Sequence, residues 1–355
     1  MPTKRTEINE IGEFGLIDRI REKFVNRDPD TVLGIGDDAA VINSGDYFTL
    51  LSSDMIIEGI DFDLAYFPLQ HLGYKSVVIN VSDIAAMNGR PRQILVNLAL
   101  SNRFSVEAID AFYEGISRAC ENYKVDLAGG DISSSAGGLM VSIAILGTVD
   151  KDRITRRSTA EENDIICVSG DLGASFIGLQ VLQREKEVFL ADPGMQPELD
   201  KYEHVVHKHL RPEARMDIVH ELRELGVVPT SMIDISDGLA SDLMHICHQS
   251  SRGAVIFEDK LPVDPLTYRT ALEFKIDPSV AVLNGGEDFE LLFTIKPGDF
   301  DKLKNHRDIQ MIGYIREKKE GIIMIDKKDT RIPLTAQGWN HFGNELKPSN
   351  NPITQ

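Results

Sequence analysis

Six short segments of the chain place acidic residues beside Gly or Ser, close behind apolar residues. They are Gly34-Ile-Gly-Asp37-Asp38, Ser52-Ser53-Asp54, Val81-Ser82-Asp83, Gly129-Gly130-Asp131, Ile233-Asp234-Ile-Ser236-Asp237-Gly238 and Gly285-Gly286-Glu287-Asp288. Solvated carboxylates usually sit among other polar residues on helix faces. These sit at strand ends and tight turns, in surroundings such as VINVSDIAAM and SMIDISDGLA. Like charges packed together in a partly apolar setting are unfavourable unless cations neutralise them. Hard cations held by Asp oxygens, water and a substrate's phosphates meet that need, and Mg²⁺ is the usual one. Gly and Ser neighbours let the backbone approach a phosphate and offer N–H donors. Each Asp taken singly also reads as an N-cap or an Asx-turn. Six clusters in one chain point instead to a shared metal–phosphate site.

Other motifs carry less. Gly34-x-Gly36-x-x-Ala39 matches a loose dinucleotide fingerprint, but the residues that follow, DDAAVI, offer no helix to receive a pyrophosphate. There is no GxxxxGK[ST] and no GxSxG elbow. His204, His207 and His209 are spaced i, i+3, i+5, which sends them to different helix faces; they read as solvent-facing rather than as zinc ligands. His245 and His248 read as partly exposed helix residues.

The elements that must position these groups alternate in type. Strand-like runs fall at 31–33, 40–42 and 48–52, followed by helical apolar spacing over 70–87, a strand at 93–100 and a helix from Ser105, its predicted N-cap, to 123. Strands at 125–128 and 139–149 precede a charged, mostly polar stretch at 151–164, where a domain boundary is expected. Beyond it come a strand at 164–169, a helix at 174–183, an acidic Pro-interrupted excursion at 186–201, a helix at 216–224, a strand at 231–235, a helix at 239–250 and strands at 254–257 and 289–294. The expected class is α/β (mixed α+β), with domains over 1–150 and 151–346 and a disordered tail at 347–355.

Lys and Arg number 38 against 56 Asp and Glu, a formal charge of −18 in 355 residues. That counts against nucleic acid as main ligand and against docking on an anionic membrane. Cys120, Cys167 and Cys247 show no paired spacing, which excludes a disulfide framework and a cysteine zinc site and fits a reducing compartment. The opening MPTKRTEINE has no apolar signal-like stretch, and the run at 138–149 is about half of the roughly 20 residues a membrane span needs. A cytoplasmic location is expected.

In combination, EFGLI (13–17), GIGDDAAVI (34–42), SSDMIIEG (52–59), LGYKSVVINVSDIAAMNGRP (72–91), LAGGD (127–131), MIDISDGLASDLMHI (232–246) and NGGEDFELLFTI (284–295) closely resemble the thiamine-monophosphate kinase family of the aminoimidazole-ribonucleotide-synthetase-like superfamily. The resemblance runs from about 13 to 343. It implies ATP-dependent phosphorylation of thiamine monophosphate to thiamine diphosphate, the last step in making that coenzyme, by direct γ-phosphoryl transfer with several Mg²⁺ ions. It also implies a homodimer whose N-terminal sheets pair into a barrel-like core, with a C-terminal α/β domain closing the cleft.

Position by position, the resemblance implies metal binding by Asp37, Asp38, Asp54, Asp83, Asp131, Asp234 and Asp237. Ser52 and Ser53 flank the Asp54 position, and Gly130 and Ser236 match nucleotide-phosphate contacts. Arg157 matches an arginine that meets the nucleotide, with Arg156 beside it leaving the register open. Glu287 and Trp339 match substrate-contacting positions. An indole can stack on a flat, cationic thiamine heterocycle, although a C-terminal Trp also reads as core packing. One departure stands out: Asp61 occupies the place where the family usually has a substrate-contacting His, an acceptor in place of a donor. No catalytic base is expected, because the attacking phosphate oxygen is already anionic near neutral pH. The alternatives are a sister enzyme of the superfamily, or a non-catalytic binder of metal or nucleotide.

Overall fold

The computed structural model describes residues 6–335; Trp339 and the predicted tail lie outside them. After helix α1 (Ile8–Arg21), the first half of the described chain runs through β1 (Thr31–Leu33), β2 (Ala40–Asn43), β3 (Tyr47–Ile57), α2 (Leu69–Ala86), β4 (Arg90–Leu100), α3 (Val106–Tyr123), β5 (Asp126–Ser134) and β6 (Met140–Asp150). The strands form one sheet in the order β1-β2-β3-β6-β4-β5. Along β6, half-buried and buried residues alternate without a break, as a sheet with one covered face requires. Val141, Ile143 and Ile145 point to the covered face, together with Leu50 of β3 and Val96 of β4.

Covering that face is α2, which is buried nearly all round and turns Leu72, Val77, Val78, Val81 and Ile84 fully inward. It follows Pro68, which cannot continue a hydrogen-bonded turn backwards. Amphipathic α3 packs over it, capped by Ser105 Oγ accepting from Ala108 N–H. The two helices touch backbone to backbone at Gly73 and Gly115: a Cβ on Gly73 would lie 2.0 Å from the Phe112 carbonyl oxygen, and one on Gly115 1.9 Å from that of Gln70. We expect Gly73→Ala to destabilise the fold by about 1–3 kcal/mol or more by pushing α2 off α3. A urea midpoint equal to that of the parent would overturn this.

The second half contains β7 (Ile165–Ser169), α4 (Ala174–Ala191), α5 (Glu203–Leu210), α6 (Met216–Glu224), β8 (Ser231–Asp234), α7 (Leu239–Ser250), β9 (Arg252–Phe257), α8 (Pro265–Glu273), α9 (Pro278–Asn284), β10 (Leu291–Ile295), α10 (Phe300–Leu303), β11 (Ile309–Glu317), β12 (Ile322–Ile325) and β13 (Arg331–Pro333). Its sheet runs β13-β12-β9-β11-β7-β10-β8, antiparallel except where β12 meets β9. Helix α4 continues into the acidic stretch as far as Ala191, beyond the expected end at 183. The architecture is the expected mixed α/β class. Ala85 and Ala86, at the end of α2, pack among Cys167, Met232, Leu291 and Phe293 of the second sheet. Helix α2 is therefore wedged between the two sheets, with β8, the edge strand of the second, beside it.

Candidate metal–phosphate site

Three carboxylates from three separate elements converge at this wedge. Asp38 comes from the turn before β2, Asp83 from α2 and Asp234 from the end of β8, and an oxygen of each lies within 4.8 Å of the other two. Hydroxyl groups orient them: Ser52 Oγ donates to Asp83 Oδ2 at 2.5 Å, and Ser82 Oγ donates to Asp234 Oδ2 at 2.6 Å. Arg157, in the segment joining the sheets, donates both Nε (3.0 Å) and Nη2 to Asp38, a two-pronged grip. Its backbone N–H donates to Asp37 Oδ1 at 3.3 Å. Arg157 rather than Arg156 thus meets the acidic turn. Asp54, on the covered face of β3, is pinned through its N–H to Asn80 Oδ1 at 3.3 Å, while its Oδ2 is buried with no hydrogen-bond partner.

The electrostatics follow from this crowding. Burial first, then Asp38, pushes the Asp37 carboxyl up to about 7. Burial and Asp38 likewise hold Asp234 at about 7. Asp83 stands well above the ordinary carboxylate range because of burial and then Asp54, Asp234 and Asp38. Asp54 is raised too, chiefly by burial. Carboxylates that resist ionising together, one of them with an orphaned buried oxygen, are a donor set of hard oxygens suited to Mg²⁺. The residues fit the ion that the sequence predicts.

Ser236 and Asp237 follow Asp234 in a turn zipped to the Gly285–Asp288 segment: Glu287 N–H donates to Ser236 O at 2.7 Å and Phe289 N–H to Ile235 O at 3.0 Å. A Cβ on Gly286 would lie 2.5 Å from Ser236 O, so this approach requires glycine. Glu287 therefore lies beside the Ser236 turn. Asp61 closes its own loop, accepting from Ile57 N–H at 2.7 Å, which gives the acidic residue a structural role at the family's His position.

Gly130 and Asp131 are not brought to this cluster within one chain. They lie on β5, exposed along its whole length, and the register runs Asp131–Asn97–Ser142–Met55 across β5, β4, β6 and β3. That places Asp131 three strands, roughly 14 Å, from β3. It also puts Asp131 on the face opposite Asp54, the face to which Ser53 points. Trp339 lies outside the described residues.

Several groups at or near the site are not among the predicted site residues. Asn80 and Ser82 orient carboxylates as above. Asp242 accepts from Gly238 N–H at 3.1 Å and is raised well above its ordinary range by burial, then by Asp237 and Asp234. Asp288 caps the start of α4, accepting from Gly173 N–H at 2.8 Å, and burial pushes it up to about 8. Lys75 is buried against Glu287. His209, expected at the surface, is buried, with only 2% of its surface exposed. Gly178 explains this: a Cβ there would strike Val205 O at 2.0 Å, so α5 presses directly on α4 and turns His209 inward.

Comparison with known proteins agrees with this geometry. Residues 36–149 match the family described as AIR synthase related protein, N-terminal domain. Thiamine-monophosphate kinase of Bacillus subtilis (strain 168) is 34% identical over 340 residues, covering 93% of this chain and 99% of the relative. Thiamine-monophosphate kinase of Aquifex aeolicus (strain VF5) is 33% identical over 336 residues, covering 94% and 99%. The solved structure of AaThiL complexed with AMPPCP and TMP superposes with a TM-score of 0.82 at 32% identity, covering 96% of this chain and all of that one. Sequence over nearly the whole length, fold and the convergent carboxylates lead to one assignment: this chain belongs to the thiamine-monophosphate kinase family.

Proposed function

We propose that this chain transfers the γ-phosphoryl group of ATP directly to the phosphate of thiamine monophosphate, giving thiamine diphosphate and ADP. The observation that carries the reading is the convergence of Asp38, Asp83 and Asp234, with Asp54 beside them. It occurs in a family member whose relatives match end to end.

Mg²⁺ held by Asp37, Asp38, Asp54, Asp83, Asp234 and Asp237 would supply neutralisation for two polyanionic ligands that otherwise repel. The chain's own residues do the positioning. Ser52 and Ser82 fix the orientation of Asp83 and Asp234, and Arg157 fixes Asp38 while leaving a cationic guanidinium at the rim for nucleotide. The N–H groups and hydroxyl of the Ser236 turn line the phosphate path. Glu287, whose carboxyl the Lys75 ammonium holds below its usual range despite burial, faces the end of the cleft that we assign to the substrate's rings. The attacking oxygen belongs to the substrate phosphate, so no side chain has to accept a proton.

We further propose a homodimer joined through the uncovered face of the first sheet, where Leu51, Met55 and Leu95 are each at least 45% exposed. Such a patch on an open sheet with a fully exposed edge strand needs covering. Gly130 and Asp131 would then stand at the junction of two copies. The division into domains at 151, and residence in a reducing cytoplasm, belong to the same reading; the three cysteines are free, and no helix among the described residues is long and apolar enough to cross a membrane.

The deciding experiment measures ADP release from ATP and Mg²⁺ with and without thiamine monophosphate. Release that depends on thiamine monophosphate, with thiamine diphosphate formed in equal amount, is expected. Nucleotide binding without such turnover would favour a carrier and overturn the proposal.

A further inference from the structure

We infer that Lys75 is a positioning residue for the substrate end of the cleft, holding Glu287 as an oriented carboxylate that receives the amino-bearing ring of the substrate. The inference rests on the function proposed above and deepens it. Lys75 lies on α2 with 3% of its side chain exposed. An ammonium so placed is costly unless paired. Its Nζ is 3.0 Å from Glu287 Oε1, 3.3 Å from the His209 carbonyl oxygen and 5.4 Å from the centre of the Phe67 ring. Of these partners only Glu287 carries a charge, so the pair neutralises itself.

Two side chains meet the Glu287 carboxylate, and of these Lys75 carries the fixed positive charge. His209 Nδ1 approaches Oε2 at 3.4 Å and also meets Ser175 Oγ at 3.1 Å. Burial and Lys75 push that imidazole down to about 3, so it is neutral. The Tyr66 phenol, driven up to about 12 by burial, Asp63 and Glu287, keeps its proton. With Lys75 against one oxygen, a third of the Glu287 side chain still reaches open space. The backbone aims it there: Glu287 and Phe289 hold left-handed φ values of 55° and 52°, stabilised by the bonds to Ser236 and Ile235.

Helix α2 also fixes the spacing. Lys75 and Asp83 are eight residues apart, about 12 Å along the axis. One rigid element thus governs both a phosphate-side carboxylate and, through Glu287, a carboxylate for the far end. That is the demand of a ligand with a phosphate at one end and an amino-bearing ring, able to donate hydrogen bonds to a carboxylate, at the other.

The test is a double-mutant cycle of Lys75→Met and Glu287→Gln, read as KM for thiamine monophosphate and KM for ATP between pH 6 and 8. Lys75→Met should raise the first about tenfold or more and leave the second within about twofold. Without its counter-charge, the Glu287 carboxyl titrates upward, so in Lys75→Met this KM falls as pH rises. In the Glu287→Gln background, adding Lys75→Met should change it no further. The same factor in both backgrounds, or an equal rise in the KM for ATP, would make Lys75 a structural lysine and overturn the inference. Lys75→Gln, which keeps a donor but not the charge, replaces Lys75→Met if the latter does not fold, with the same outcomes expected. A parent protein that releases no ADP in response to thiamine monophosphate defeats the functional reading itself, whereas an active parent with additive mutants defeats only the role of Lys75.

Discussion

Asp83→Asn is expected to lower turnover with thiamine monophosphate by a factor on the order of 10³ or more, while the protein remains folded. The side chain sits where α2 meets both sheets, receives Ser52 Oγ and faces Asp38 and Asp234. Asparagine is close in size and keeps one acceptor oxygen, so packing survives while an anionic oxygen donor is lost. Burial and three neighbouring carboxylates already oppose ionisation of this group, so charge removal relieves rather than strains the apoprotein. At pH 8 without divalent cations the variant should unfold at a urea concentration no lower than the parent does. With Mg²⁺ added, the parent should gain more stability than the variant. Near-normal turnover in Asp83→Asn would sink the carboxylate-cup reading, and a large drop in stability would show that the residue serves the fold instead.

The second large effect couples stability to pH and cation. Asp37 and Asp234 are held at about 7 in the folded state against a reference of 3.8. The native state therefore binds more protons than the unfolded chain between those values. The stability contributed by these groups is full below about pH 4 and is lost as pH rises through about 7. For two groups displaced by about 3 units each the loss amounts to several kcal/mol, shrinking where protons are shared. His209 and His245, pushed down to about 3 and 4, slope the other way. Comparison with and without Mg²⁺ at each pH removes their contribution. Because a cation binds the ionised carboxylates and releases their protons, the stabilisation by Mg²⁺ should grow from pH 5 to pH 8. Urea unfolding at four pH values checks this, and a cation effect that is absent or independent of pH would refute it.

How much of this was legible in the sequence depended on whether the cause was local. Carboxylates beside Gly or Ser after an apolar run declare a turn wherever it lies, and Asp37, Asp38, Asp54, Asp83 and Asp234 do gather. Asp131 carries the same local signature, yet the order β3-β6-β4-β5 takes it three strands away and onto the other face. Strand order is set by long-range pairing that no window of sequence contains. Lys75 sits inside the apolar run LGYKSVVIN and would pass for a lysine reaching to solvent, because its partner is 212 residues away. His209 turns inward against the expectation from its spacing because the periodicity of a short helix does not say which face a neighbour presses, and the close contact at Gly178 decides it. Asp288 hides within the motif that contains Glu287: one acid points to the cleft and the next caps α4.

The hydrogen bond from Ser82 to Asp234 joins residues 152 positions apart, one on a helix laid over the first sheet and one on the edge strand of the second. Neither half of the molecule owns the cup; it exists only at their seam. Chimeras between family members that exchange halves at the connecting segment would separate α2 from the β8 edge with which it is matched. A functional hybrid would have to carry α2 and β8 from the same parent.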